Sequence, residues 1–208
     1  TAGVSGVNPL GSQVELNNQG ELYQIRNVGP INSGERLTDG LDFTVSQKFN
    51  TDIGLFTLSG QATRILTFEQ ENFPGSGNLT YLNRYWGPGA VLDNTGFPTW
   101  RANVVLSYNY KRWTAAFAWN YTAGYIEDPS QEDFSGPDSE LRSVRNYMTF
   151  DIRAGYKIPY IEADFMIGCN NLLDEQPPYV ISSFENGYDR RLADIRGRTL
   201  FATLSKQF

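Results

Sequence analysis

Residues 198–208 read RTLFATLSKQF. Leu200, Ala202, Leu204 and Phe208 fall on one side at a period of two, interrupted by Lys206 alone. Thr199, Thr203, Ser205 and Gln207 fall on the other, joined by Phe201. Chain ends are hydrophilic and frayed unless something ties them down, so this stretch predicts a strand held in a sheet and carried to an aromatic ring. Two kinds of sheet fit it, the terminal strand of a soluble sandwich and a strand of a membrane barrel. The rest of the chain has to choose between them.

Composition narrows the choice. The 208 residues are 14% aromatic, with 20 Gly and 10 Pro, yet the mean hydropathy is -0.41. A chain rich in rings and turns but polar on average suits a two-faced sheet. No run approaches the roughly 20 consecutive apolar residues of a spanning helix, whereas a spanning strand needs only about 9–11 residues and is half polar. The net charge of -6 and pI near 4.7 oppose a phosphate-tracking groove, so no nucleic acid partner is expected. With no His and a single Cys, Cys169, the chain offers neither a disulfide framework, nor a Cys/His zinc site, nor a Ser-His-Asp triad. No phosphate-binding Gly-rich loop is present. Neither enzymatic activity nor a metal or cofactor is therefore expected. The opening TAGVSGVNPLG lacks the basic start and apolar core of a signal peptide, which predicts a mature or internal piece.

Eight strand-like segments follow along the chain. Residues 21–28 (ELYQIRNV) alternate weakly. In LTDGLDFTVSQKF, Leu41, Phe43, Val45 and Phe49 oppose Asp42, Thr44, Ser46 and Lys48. After a short NTDIG turn, Phe56, Leu58, Ala62, Leu66 and Phe68 oppose Thr57, Ser59, Gln61, Thr63 and Thr67, with Arg64 on the wrong side. Trp100, Ala102, Val104, Leu106, Tyr108 and Tyr110 form the apolar face of the fourth segment. Only Lys111 and Arg112 separate it from the fifth, whose face is Trp113, Ala115, Phe117, Trp119, Tyr121, Ala123 and Tyr125, so an antiparallel hairpin is expected. Met148, Phe150, Ile152, Ala154 and Tyr156 mark the sixth. A KIPY turn leads to the seventh, with Ile161, Ala163, Phe165, Ile167 and Cys169, and the quoted stretch is the eighth.

Short connections alternate with long ones at about 70–97, 126–143 and 171–195. A meander with tight turns at one end and large loops at the other is the plan of outer-membrane barrels, apolar side to lipid and polar side to the lumen. Charge obeys the same division, with Lys48, Arg101, Asp151, Arg153, Glu162 and Asp164 on the polar face. A charge at the bilayer midplane costs about 2–4 kcal/mol, which accounts for the other face holding almost none between its ends. Rings gather at strand ends, Phe49, Tyr110, Trp113, Tyr156, Tyr160 and Phe208 at the short-turn end and Phe68, Trp100 and Tyr125 at the loop end, as two interfacial girdles would require.

Residues 170–208, NNLLDEQPPYVISSFENGYDRRLADIRGRTLFATLSKQF, closely resemble the C-terminal end of TonB-dependent outer-membrane receptors, with an N-L-x-D-E-x-P-P segment, an R-x-x-x-x-x-G-R-x-L run and a final Phe strand. GLDFTVSQKF and FPTWRANVVLSYNYKRWTAAFAWNYTAGY are similar to other strands of that family. The resemblance implies an all-β fold, an antiparallel up-and-down meander of about eight strands forming the C-terminal part of a large transmembrane β-barrel. Such receptors have about 22 strands and a plugged lumen, so residues 1–208 would be the last third of a barrel, with the plug absent from this chain.

Further expectations follow from the resemblance. The receptor would sit in the bacterial outer membrane, long loops extracellular and C-terminus periplasmic. It would take up a scarce large solute such as an iron-siderophore, cobalamin or a glycan. Its partners would be the rest of the barrel and plug, the inner-membrane energy-coupling protein TonB, and outer-membrane lipid and lipopolysaccharide. Phe208 would be the signal read by the barrel-assembly machinery. Tyr81, Arg84, Tyr85 and Trp86, gathered in TYLNRYWGPG, suit stacking on a sugar or a ring-bearing chelate, and equally a loop packing on itself. Arg190, Arg191, Arg196 and Arg198, gathered in YDRRLADIRGR, would grip an anion, or else join an internal network with Asp189, Asp194 and neighbouring carboxylates. The acidic EDPSQEDFSGPDSE is expected to be solvated or bridged through divalent cations to lipopolysaccharide. Two other readings remain: a complete small eight-stranded outer-membrane barrel with a structural or adhesive role, and a secreted carbohydrate-binding β-sandwich.

Overall fold

The computed structural model describes residues 4–7, 13–16, 19, 21–26, 35–71, 77–86, 95–127, 142–181, 183 and 187–206. Among them there is strand and turn but no helix. The chain divides into two compact units, Thr1–Asp39 with Thr67–Tyr81, and Gly40–Leu66 with Leu82–Phe208.

In the first unit, β1 (Val4–Val7), β2 (Gln13–Leu16) and β3 (Leu22–Arg26) form a three-stranded antiparallel sheet. The segment expected as the first strand of the meander, residues 21–28, thus contributes β3 and pairs with β2. Its weak alternation gives it no apolar face to place toward lipid. The outer ends of β4 (Arg36–Thr51) and β5 (Gly54–Glu71) belong here too, with β6 (Asn78–Thr80) paired to β5 from Glu69↔Thr80 to Glu71↔Asn78.

The second unit holds the main sheet. It comprises the remainder of β4 and β5, with β9 (Trp100–Tyr110), β10 (Trp113–Thr122), β13 (Tyr147–Ile158), β14 (Ala163–Asn170) and β15 (Thr199–Lys206). Their order is β15-β14-β13-β10-β9-β5-β4, every neighbour antiparallel and adjacent in the chain among the long strands. The connections alternate as expected: Asp52 and Ile53, Lys111 and Arg112, and Pro159–Glu162 on one side, and the long segments on the other. Lys111 turns the chain with φ 55 and Gly54 with φ 136, left-handed backbone that tight turns demand.

Side chains sort by face as the period-two pattern requires. The rings and aliphatics of one face are exposed: Trp113 at 57%, Ile167 at 53% and Leu200 at 75%. Cross-strand rings pair on it, Phe56 with Tyr108 at 4.8 Å, Trp113 with Tyr156 at 4.6 Å and Phe117 with Phe150 at 5.7 Å between centroids. Arg64, the misfit of its strand, lies with its guanidinium 5.4 Å from the centre of the Trp100 ring. Its charge is held at the loop end of the sheet by an aromatic neighbour.

The other face is a polar lattice. Asn103 Nδ2 donates to Asn120 Oδ1 at 2.7 Å, and Asn120 Nδ2 donates to Asp151 Oδ2 at 2.9 Å and to Thr149 Oγ1 at 3.2 Å. Thr63 Oγ1 donates to Asp42 Oδ1 at 2.6 Å. Phe201 places a ring on this face. Its ring lies over Gly168, where any Cβ would strike it. Among the described residues the sheet ends at β4 and β15 without closing on itself.

Candidate functional site

The long connections of the second unit build a small structure of their own at the loop end. β7 (Arg84–Trp86), β8 (Thr95–Gly96), β11 (Tyr125–Glu127) and β12 (Arg142–Val144) form a sheet in the order β12-β11-β7-β8, in which β11 and β7 run parallel. Tyr85, Tyr125, Val144 and Val180 are its buried core, with Leu192 packed against it. The Tyr85 and Tyr125 rings stack at 6.3 Å, and Tyr125 lies against Gly96, leaving no room there for a side chain. Burial, then the nearby charge of Asp189, holds the Tyr125 phenol far above its ordinary range, so it stays neutral.

Asp189 ties this cluster to the C-terminal connection. Its carboxylate is buried and accepts the backbone N–H of Gly96 at 2.6 Å through Oδ2 and that of Arg191 at 2.9 Å through Oδ1. Charge-assisted bonds of this kind are about twice as strong as neutral ones.

The NNLLDEQPP segment is organised around Asn171. With φ 51 it reverses the chain after β14, its N–H donates to Asp151 Oδ1 at 2.8 Å, and its side-chain amide brackets Glu175 by giving to the carbonyl and accepting the N–H, both at 2.9 Å. Arg145 pairs with Glu175 and donates to the Gln176 carbonyl at 2.6 Å. Asp174 Oδ1 accepts the Arg198 N–H at 2.7 Å, which sets the approach to β15. The motif is thereby a frame that aims the last strand at β14.

Between this frame and the polar face lies a hollow of about 410 Å3, lined by Tyr147, Thr149, Asp151, Arg190, Arg191 and Thr199 among others. Arg196 also borders it, and its Nε and Nη2 hold Asp194 at 2.9 and 2.6 Å. That side-chain hydrogen bond, then the Arg196 N–H, draws the Asp194 carboxyl below its usual range. Among the described residues no cluster of acidic or Cys side chains is arranged to hold a metal.

The residues singled out from sequence are thus dispersed. Arg190 and Arg191 are exposed and share the hollow. Arg84 is exposed on β7 and Tyr85 is enclosed in the loop core. Tyr81 belongs to the first unit, fully buried with its ring edge-on to Phe68 at 6.1 Å. The Trp86 side chain and Phe208 lie outside the described residues, as does nearly all of the acidic EDPSQEDFSGPDSE stretch. Asn171 and Asp174 escaped notice as site-forming residues, although both stand within the quoted motif, and Asp189, expected in a network with the arginines, accepts the backbone N–H groups of Gly96 and Arg191.

A single antiparallel layer whose apolar side is exposed and whose other side carries Asn, Asp, Thr and Arg is the wall of a transmembrane β-barrel. The profile of the family described as TonB dependent receptor-like, beta-barrel matches residues 3–172, and the chain belongs to that family of outer-membrane receptors. The crystal structure of the siderophore receptor PirA from Acinetobacter baumannii shares the fold, with a TM-score of 0.55 at 17% identity over 99% of this chain. The chain spans 27% of that receptor's length. No curated protein matches it.

Proposed function

We propose that this chain is the C-terminal part of the barrel wall, with its loops, of a receptor that imports a scarce large solute across the outer membrane in a TonB-dependent manner. The solute is an iron-siderophore, cobalamin or a glycan, and the long connections face the cell exterior. The observation that carries the reading is the pairing of an exposed apolar face with a polar hollow at the loop end of the opposite face. A solute entering through the loops meets Arg190 and Arg191 there, and an anionic group on it would be gripped bidentately. Arg84, exposed on β7, is the second proposed contact, with Tyr81, Tyr85 and Trp86 as its neighbours in sequence. TonB, the plug and the remaining strands are the partners this activity requires, and the two ends of the sheet at β4 and β15 are where further barrel would pair.

The test uses the full-length receptor in detergent with ferric chelates of differing charge, cobalamin and oligosaccharides, read by titration calorimetry. One class should bind, and Arg190→Ala with Arg191→Ala should weaken an anionic solute about tenfold or more, since a charge-assisted hydrogen bond contributes about 1.5–3 kcal/mol. Undiminished binding in that variant would remove the arginines from the site. Failure of every solute class would remove the uptake reading itself.

A further inference from the structure

Of the three tight turns, the one joining β9 to β10 differs in charge. Asp52 stands in the first and Glu162 in the third, whereas the second is Lys111 and Arg112 alone. Among the described residues neither of these cations has a carboxylate partner. Both side chains are exposed, and the Lys111 ammonium sits 4.9 Å from the centre of the Tyr110 ring, on the apolar side of the sheet. The Arg112 carbonyl accepts the Lys157 N–H at 3.0 Å, which fixes the turn against β13.

Directly beneath it runs a lateral row of rings. Trp113 is paired in register with Tyr110 on one side and Tyr156 on the other, and its indole, 4.6 Å from the Tyr156 ring, remains 57% exposed. Tyr160, at the neighbouring turn, is 94% exposed. Two exposed cations at the tip and a bank of amphipathic rings just below them match the two halves of one molecule, a phosphate and the start of its acyl chains. Indole and phenol rings settle at headgroup depth. A cation resting on an aromatic face is also partly ordered before any ligand arrives.

We propose that the Lys111–Arg112 turn with Tyr110, Trp113 and Tyr156 is a docking site for the headgroup of an anionic phospholipid in the leaflet on the short-turn side. The site rests on the reading that the apolar face meets lipid, and its own content is the selection of charge. Lys111 and Arg112 bind the phosphodiester, and Trp113 and Tyr156 hold the glycerol and upper acyl region. A zwitterionic lipid brings its own ammonium to the same place and is repelled by the pair. The neighbouring turns, each bearing a carboxylate, make no such selection.

Full-length receptor is placed in lipid nanodiscs containing, at equal mole fraction, either phosphatidylglycerol or phosphatidylethanolamine with brominated acyl chains. The Trp113 signal is the fluorescence of the parent minus that of Trp113→Phe. Brominated phosphatidylglycerol should quench it several times more strongly. Lys111→Ser with Arg112→Ser should abolish the preference, at roughly fivefold per cation, since each basic residue near an anionic surface contributes about 1 kcal/mol. Lys111→Arg should retain it. Equal quenching by both lipids, or a preference that survives the double substitution, overturns the site while leaving the face in lipid. Absence of quenching by either lipid overturns the site together with the membrane reading on which it stands.

Discussion

Asp189 Oδ2 accepts a hydrogen bond from the backbone N–H of Gly96 at 2.6 Å, joining positions 93 residues apart in sequence. The bond is buried, and its loss leaves a peptide donor without an acceptor in a place water does not reach. Asp189→Ala should destabilise the loop cluster by about 1–3 kcal/mol. Hydrogen exchange should quicken at residues 95–97 and 189–193 while the amides of β9, β10 and β13 keep their protection. A uniform loss across the sheet would show that the cluster and the wall are one cooperative unit.

Phe117 and Ser107 lie in neighbouring strands, on opposite faces and in the strand interiors. Phe117→Arg places a guanidinium against hydrocarbon, at a cost of about 2–4 kcal/mol, while Ser107→Arg places it on the polar face at little cost. Urea titration of the full receptor folded into vesicles reads the difference. Equal effects at the two positions would contradict the assignment of the faces.

Gly168 and Phe201 are cross-strand partners in the β14–β15 register, the ring occupying the space that a Cβ at residue 168 would need. The Ile152 carbonyl closes that space from the other side at 2.9 Å, so the backbone has little freedom to retreat. Gly168→Ala should cost about 1–3 kcal/mol by overpacking. Adding Phe201→Ala should return part of that loss, so the double variant is more stable than the two single costs would sum to. Strict additivity, measured by the temperature at which the folded band disappears on unboiled gels, would mean that the ring is free to swing away.

Asp194 and Arg196 supply a pH signature. The carboxyl is held below its ordinary value by the Arg196 side chain, so its contribution to holding the C-terminal connection is complete at neutral pH and is lost as pH falls through that depressed value. The pair is solvent-exposed and screened, which keeps the effect local and small. Arg196→Gln should move the acid edge of protection in residues 190–198 to higher pH, as read by hydrogen exchange corrected for intrinsic rates. An unmoved edge would assign the acid sensitivity to another carboxylate.

The wall was legible in the sequence because each face meets one medium. A strand such as Trp100–Tyr110 records lipid and lumen at alternate positions, and the two residues between Tyr110 and Trp113 leave no connection but a hairpin. Arg64 broke the pattern in the sequence, and the Trp100 ring beside it could not be read there. The loop end was legible only in part. β6, β7 and β8 are too short to show a period, so residues 70–97 read as irregular although they supply three strands. The burial of Tyr81 and Tyr85 depends on Phe68 and Tyr125, partners that no local pattern predicts. The N-L-x-D-E spacing was visible as a motif, but that Asn171 brackets Glu175 and Asp174 receives Arg198 is a fact of three-dimensional closure.

Lys111 and Arg112 fasten β9 to β10 from Tyr110↔Trp113 without a slip to Arg101↔Thr122. Alignment of this hairpin is thus dictated from the tight side, whereas β15 is set beside β14 from the long connection, where Asp174 holds the Arg198 N–H. Exchanges at Asn171 or Asp174 therefore reach the last strand, while the pairing of β9 with β10 is secured by its own two-residue turn.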